Sequence, residues 1–299
     1  MSYFDKIEPI TGGFKMLYNT NDAPVLMVFG QSNAHGHGLA MEDCDRITHP
    51  ITNVYALNTA ENQKLDLSDC VWSGYTSHGT NLGETQDNTY CMPNYFARYW
   101  EEHANELPPL FIIRISVGAQ GVTRNYMWNP DYEHIMIPGP LGTVKIALYR
   151  LACHVIDRAF AGIRRMGKNP CVLALHWIGG EEEICVPPKQ LEGLTALYNR
   201  IFDGFRAAAG GDFPIYLYRV LCRQRVSDIS KDPAGLDAIN YAFDSLTEKM
   251  TDTSIVTAEQ CPLYNEKSAH NGIYMPDNVH YTREVQNWFA KREFLRVIS

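Results

Sequence analysis

Ser32 and the pair Asp277 and His280 are the residues of this chain whose types and spacing could carry nucleophilic chemistry. A serine hydroxyl is a poor nucleophile at neutral pH. It needs a base within hydrogen-bond reach, and that base needs a third group to orient it. In Asp277-Asn278-Val279-His280 a carboxylate stands three residues before an imidazole, just ahead of a predicted last helix. In a turn entering a helix, that spacing lets Asp277 reach Nδ1 of His280 while Nε2 takes a proton from Ser32. Either motif alone is weak, since a lone serine after a strand is usually structural and D-x-x-H occurs by chance. Their meaning depends on the elements that would bring the two ends of the chain together.

The run Val25-Leu26-Met27-Val28-Phe29 stops abruptly in Gly30-Gln31-Ser32-Asn33-Ala34-His35-Gly36-His37-Gly38. A short apolar run bounded by turn formers reads as a strand buried on both faces, and in open α/β sheets ligands bind beyond the strands' carboxyl ends. Ala34 stands where a G-x-S-x-G nucleophile elbow needs its second glycine, which argues against an α/β-hydrolase. Further strands are predicted at 53–57, 110–116, 171–177, 214–221 and 254–257. Helices are predicted from Pro93 through Trp100, from Val144 to Met166 closed by Gly167, and from Leu191 to Phe205 stopped by Gly210-Gly211. Two more span Leu236 to Leu246 and Val285 to Phe289, the last N-capped by Thr282. This alternation implies an α/β protein, a three-layer α/β/α arrangement around a mostly parallel, doubly wound sheet. We expect one domain over 1–299, with 1–24 an irregular lead-in and a long turn-rich loop holding Trp72, Tyr75, His78 and Tyr90.

Four polar clusters follow predicted strands: Ser32, Gly118 to Thr123, Gly179 to Glu183, and Asp277 to His280. Gly30-Gln31-Ser32-Asn33 followed by Gly36 and Gly38, with Asp277-x-x-His280 near the end, resembles the SGNH (GDSL-like) hydrolases. The likeness is greatest to their sialate O-acetylesterase and acetylxylan esterase branch. The resemblance implies a flavodoxin-like sheet, Ser32 as nucleophile, His280 as general base and acid, Asp277 as its orienting partner, and no cofactor. It also implies an oxyanion hole from the N–H groups of Ser32 and Gly121, with Gly118 the alternative for the second donor and a plain tight turn the bland reading of Gly121. The third block, typically W-x-Q-G-E-x-D, is similar to Trp177-Ile178-Gly179-Gly180-Glu181-Glu182-Glu183, but Gly179 replaces the glutamine that would donate a side-chain hydrogen bond. An N–H of Gly179-Gly180 or the Asn33 side chain are the candidate replacements.

The activity the resemblance implies is removal of acyl groups, acetyl above all, from a carbohydrate such as sialic acid or an acetylated polysaccharide. Gln31, Asn33, Trp72, Trp128 and Glu181 are the candidate substrate contacts. For Gln31 and Asn33 the competing role is tying the loop together, and for the two tryptophans it is packing under their own loops. The rival readings are a lipase, thioesterase or arylesterase on the same fold, and a catalytically weak carbohydrate-binding protein.

Composition limits the partners. The 299 residues carry a formal charge of −8 without a run of lysines or arginines, which argues against nucleic acid. No apolar run approaches the roughly 18 residues of a membrane span, and the first residues lack a signal-peptide pattern, so a cytoplasmic protein is expected. Eight cysteines without a C-x-x-C pair read as reduced core residues. Clustered carboxylates such as Glu181 to Glu183 suit a divalent metal, and His35 and His37 suit half of a zinc site. A solvated or network-forming acidic loop and loop or pocket-rim histidines are the preferred readings, and no metal is expected.

Overall fold

The computed structural model describes residues 19, 21–37, 46–57, 70–77, 79–83, 90–124, 126–132, 147–222 and 234–298. Most of the lead-in, Gly38, Cys44, His78 and Val144 lie outside them. Within them the strands are β1 (Asp22–Gly30), β2 (Val54–Leu57), β3 (Trp72–Gly74), β4 (Leu110–Ser116), β5 (Asn169–Ile178), β6 (Ile215–Tyr218) and β7 (Thr253–Val256). The helices are α1 (Ser32–His35), α2 (Met92–Glu102), α3 (Leu148–Arg165), α4 (Leu194–Ala209), α5 (Ala234–Lys249) and α6 (Arg283–Ile298).

The strands form one sheet in the order β3-β2-β4-β1-β5-β6-β7, parallel throughout except where β3 runs back along β2. The expected doubly wound α/β architecture is therefore present. Its central strand is β1, whose residues Val25 to Phe29 are all buried because β4 and β5 flank it and helices cover both faces. Successive side chains on a strand point to opposite faces. On β5, His176 meets Tyr218 and Glu293 of α6, while Trp177 meets Tyr198 and Phe202 of α4. Thus α6, with α2 packed on it, lies on one side, and α4, packed against α3 and α5, lies on the other.

The chain leaves β1 toward β2 on one side and leaves β4 toward β5 on the other, so the carboxyl ends of these strands frame the crevice typical of such sheets. In register, Gly30 stands level with Ser116 of β4 and Ile178 of β5. The loops after all three strands consequently open on one edge.

Two expectations change. Trp72 to Gly74 form an antiparallel edge strand where a turn-rich loop was expected, since three residues are too few to show an alternation. Thr282 precedes α6 and its carbonyl accepts the N–H of Gln286, but its hydroxyl is buried without a hydrogen bond and caps nothing. The described cysteines form no disulfide. Among the described residues no helix is long and apolar enough to cross a membrane.

Candidate active site

The turn after β1 depends on Gly30. Its φ of 146° is one that L side chains rarely adopt, and a Cβ there would sit 1.9 Å from the carbonyl oxygen of Ile178. That close approach lets the N–H of Gln31 donate to Ile178 O at 3.0 Å and turns the chain sharply into α1. Ser32 is the first residue of this helix, and the carbonyl of Gln31 accepts the N–H groups of Ala34 and His35. The first N–H groups of a helix have no intrahelical acceptor. Ser32 is 7% exposed, reachable from the edge but withdrawn from bulk water.

The second half of the site is built by a small antiparallel excursion before α6. Tyr274 bridges Tyr281, the N–H of Met275 donates to His280 O, and that of Thr282 donates to Ile273 O. At its tip one carboxylate oxygen of Asp277 accepts the N–H groups of Val279 at 2.9 Å and His280 at 3.0 Å. The other lies 2.6 Å from Nδ1 of His280. Asp277 therefore shapes the turn and orients the ring at once, the geometry that the D-x-x-H spacing allows. A hydrogen bond from Nδ1–H to the carboxylate makes Nε2 the basic nitrogen of the neutral ring. Partial burial pushes the Asp277 carboxyl up, but the His280 N–H, its imidazole and the Val279 N–H together hold it below its usual value.

Asn33 joins the two halves. Its Nδ2 donates to Val279 O at 3.0 Å and to Glu181 Oε1 at 2.6 Å, and its Oδ1 accepts the N–H of Tyr281 at 3.0 Å. Its carbonyl accepts Nε2 of Gln286, whose Oε1 in turn takes the N–H of Met92. One side chain thus grips the residues on both sides of His280 and sets that ring beside the turn that carries Ser32. The ring of His37 lies 4.9 Å from the His280 ring, centroid to centroid.

All three glutamates after β5 are buried, each committed to a different partner. Glu181 holds Asn33, Glu182 lies 3.5 Å from Arg124, and Glu183 Oε1 accepts the N–H of Val122 at 2.7 Å and the N–H of Thr123 at 3.0 Å. The triplet is an internal network, and a solvated loop is excluded. Among the described residues no three His, Cys, Asp or Glu side chains converge as metal ligands. The Glu183 carboxyl is pushed up by burial, only partly opposed by its bonds to Thr123 and Val122, and its Oε2 is buried without a partner.

Several sequence expectations are corrected. The N–H of Gly121 is spent on Arg124 O at 3.0 Å, so Gly121 is no oxyanion donor. It is glycine because a Cβ would stand 2.5 Å from Glu183 Oε1, in the path of the clamp on the next two residues. Trp128 is wholly buried, donates to Gly30 O and stacks on Phe29, leaving no face for a substrate. Trp72 sits on the edge strand, three positions across the sheet from β1, edge-on to Phe111 and beside Gly162 of α3. Asn33 and Glu181 bind each other, which removes both from substrate contact and Asn33 from the replacement donors. His35 is buried in α1 and is no rim residue. Gln31 is also buried, its side chain against the space that a residue larger than Gly179 would enter. The Gly179 and Gly180 N–H groups and Gly118 stay expectations for the donor.

Sequence reasoning missed two braces. Asn81 is bonded both ways to Ser116, accepting its N–H at 2.9 Å and donating to its carbonyl at 3.0 Å, and so extends β4 beside the crevice. Gln286 is the other. Neither has a local signal, because each acts on a partner far away in the chain.

No protein-family model matches the sequence, and no curated protein matches it. Solved structures do match by fold. NanS superposes with a TM-score of 0.62 at 15% identity, covering 94% of this chain and 98% of that one. A protein from Arabidopsis thaliana gives 0.58 at 15% identity, covering 94% and 100%. A carbohydrate acetylesterase from Xanthomonas citri gives 0.45 at 13%, covering 91% and 54%. The likeness is one of fold, a three-layer α/β/α arrangement shared along nearly the whole length of the chain.

Two outcomes follow for the braces. Asn33→Ala removes the hydrogen bonds that Asn33 makes to the Tyr281 N–H and to Glu181, a loss of about 2–6 kcal/mol at roughly 1–3 kcal/mol for each. Thermal denaturation should show a midpoint lower by roughly 5–10 °C, and an unchanged midpoint would contradict the brace. For Glu183 the folded carboxyl is raised, so stability is full below the ordinary carboxylate range and falls as pH rises through it toward the displaced value. Glu183→Gln, which keeps an acceptor for Val122 and Thr123, should flatten that part of the curve of melting temperature against pH.

Proposed function

We propose that this chain is one catalytic domain of the SGNH hydrolase superfamily, a serine esterase that removes acyl groups, acetyl above all, from a carbohydrate. The observation that carries the reading is the grip of Asn33 on both neighbours of His280, which brings an imidazole oriented by Asp277 to the turn bearing Ser32. The motif blocks supply the acetyl group and the sugar, and the fold shared with NanS is consistent with them. Ser32 Oγ attacks the ester carbonyl and passes its proton to His280 Nε2. The tetrahedral adduct collapses, the sugar oxygen leaves with that proton, and an acyl-serine remains. Water, deprotonated by His280, then attacks the acyl carbon and frees the acid and Ser32. Asp277, held ionised, keeps the ring in register and stabilises the imidazolium that forms in each half.

The oxyanion of the adduct is served by the Ser32 N–H at the start of α1, with Gly118 and the Gly179-Gly180 turn supplying the remaining donors. Gly179 also favours a second reading, a weak enzyme that functions as a carbohydrate-binding protein. One missing donor costs roughly 10²–10³ in kcat.

A fluorophosphonate probe should label Ser32 and no other serine, as peptide mapping would show. Ser32→Ala should abolish hydrolysis of p-nitrophenyl acetate without lowering the melting temperature, and most of the activity surviving would remove Ser32 from the mechanism. Asp277→Asn should retain somewhat more, since an amide still holds the ring.

A Cβ on Gly179 would meet Gly30 Cα at 3.5 Å and Gln31 Cγ at 3.6 Å, ordinary contact distances. The Cβ fits, and under the second reading Gly179→Gln, its longer side chain displacing that of Gln31, should raise kcat on acetyl esters. A kcat equal to that of the wild type would mean that the donor set is already complete.

A further inference from the structure

Between the chain after β4 and the chain after β5 lies a cleft of about 580 Å³, outside the Ser32, Asp277 and His280 constellation. One wall carries Thr123 and Tyr126, the other Gln190 and Glu192, with Leu194 and Leu197 of α4 between them. Both loops start where β4 and β5 stand level with Gly30, so the cleft opens on the same edge of the sheet as the nucleophile.

Tyr126 is 51% exposed, one of four exposed large hydrophobic side chains among the described residues, and its φ of 60° is left-handed. That conformation is costly for a residue with a Cβ and persists only where the surroundings enforce it. Here they do. Its carbonyl accepts the Asn129 N–H at 2.8 Å, the Asn129 side chain donates to Val122 O at 3.1 Å, and Glu183 pins Val122 and Thr123 from below. The same loop is tied to α4 by a two-pronged ion pair from Arg200 to Asp131, at 2.6 and 3.0 Å. The aromatic ring is thus held out at the rim of a fixed wall.

An aromatic face, two leucines, an amide, a hydroxyl and a carboxylate form a mixed lining that matches a pyranose ring, with its apolar C–H face and its rim of hydroxyls. Among the described residues the lining includes Glu192 and no cation, Arg200 and Arg124 being turned to Asp131 and Glu182. An anionic sugar would meet repulsion there.

Building on the esterase reading, we propose that this cleft binds the sugar of the substrate, and that the sugar is a neutral pyranose. Tyr126 stacks on the ring, while Gln190 and Glu192 take its hydroxyl hydrogen bonds.

The test compares p-nitrophenyl acetate with an acetylated xylo-oligosaccharide and with O-acetylated sialic acid. Tyr126→Ala should lower kcat/KM for the oligosaccharide about tenfold more than for p-nitrophenyl acetate, mainly through KM. Glu192→Lys should raise the preference for the sialic acid ester over the neutral one. Calorimetry of unacetylated xylo-oligosaccharide with the wild type and with Tyr126→Ala reads the cleft without any hydrolysis, and the variant should lose the binding. Equal losses on all substrates with binding heat unchanged would overturn the cleft while leaving a Ser32-dependent esterase intact. Loss of Ser32 dependence with binding preserved would overturn the esterase reading and leave the cleft. A wild type that prefers the sialic acid ester would overturn the neutral-sugar assignment.

Discussion

Everything at the carboxyl edge of this sheet hangs on the hydrogen bonds of one buried amide. Asn33 spends Oδ1 and Nδ2 on the backbone either side of His280 and on Glu181, and its carbonyl on Gln286. Each partner belongs to a different element: the C-terminal excursion, the loop after β5, and α6. A carboxamide suits the task because it donates and accepts in one plane, and a buried amide with every bond made is held far more firmly than any exposed pair. Nearly 250 residues of chain separate Ser32 from His280, and this junction closes that gap at a defined register.

The junction is supported by groups that would be liabilities elsewhere. Three consecutive glutamates are taken out of water, which disfavours their ionised forms unless partners repay the lost hydration. The partners are peptide N–H groups, an amide and a guanidinium, each drawn from a loop that borders the crevice. The acids therefore act as tethers that position loops, and burial with one oxygen unmatched pushes the Glu183 carboxyl up. The same principle runs on the far side of the sheet. There Glu293 of α6 lies 3.5 Å from His176 and 2.5 Å from Arg296, and Arg296 also reaches Leu173 O. Burial pushes the Glu293 carboxyl up, but His176 and Arg296 outweigh it and hold it low. This network clips the last helix to β5 and so fixes where the excursion before it must stand.

Rigid loops and a shared edge bear on recognition as well as on chemistry. In a doubly wound sheet the loops after neighbouring strands are neighbours in space, so a loop locked by buried hydrogen bonds also presents a fixed wall to whatever lies beside it. The Glu183 clamp serves both: it holds the backbone between β4 and the cleft, and through that backbone it supports Tyr126.

By itself the sequence determined what depends on local patterning. The apolar run that stops at Gly30, the strand and helix alternation, Pro93 in the first turn of α2, Gly167 and Gly210 after their helices, and the turn that Asp277 builds with His280 are all written in neighbouring residues. Backbone sterics, hydrophobic period and short-range hydrogen bonds act over a few positions, and those forces can be read without a partner. What only the tertiary structure decided depends on residues far apart in the chain. Gly121 read as an oxyanion donor until Arg124 and Glu183 were seen to claim its space. Trp128 read equally as a sugar platform and as packed under its own loop until β1 and α4 closed over it, and the acidic triplet was left between a solvated loop and a network until each carboxylate met its own distant donor. The side chains are the same in either reading; burial and pairing across the sheet, which no local pattern encodes, set their chemistry.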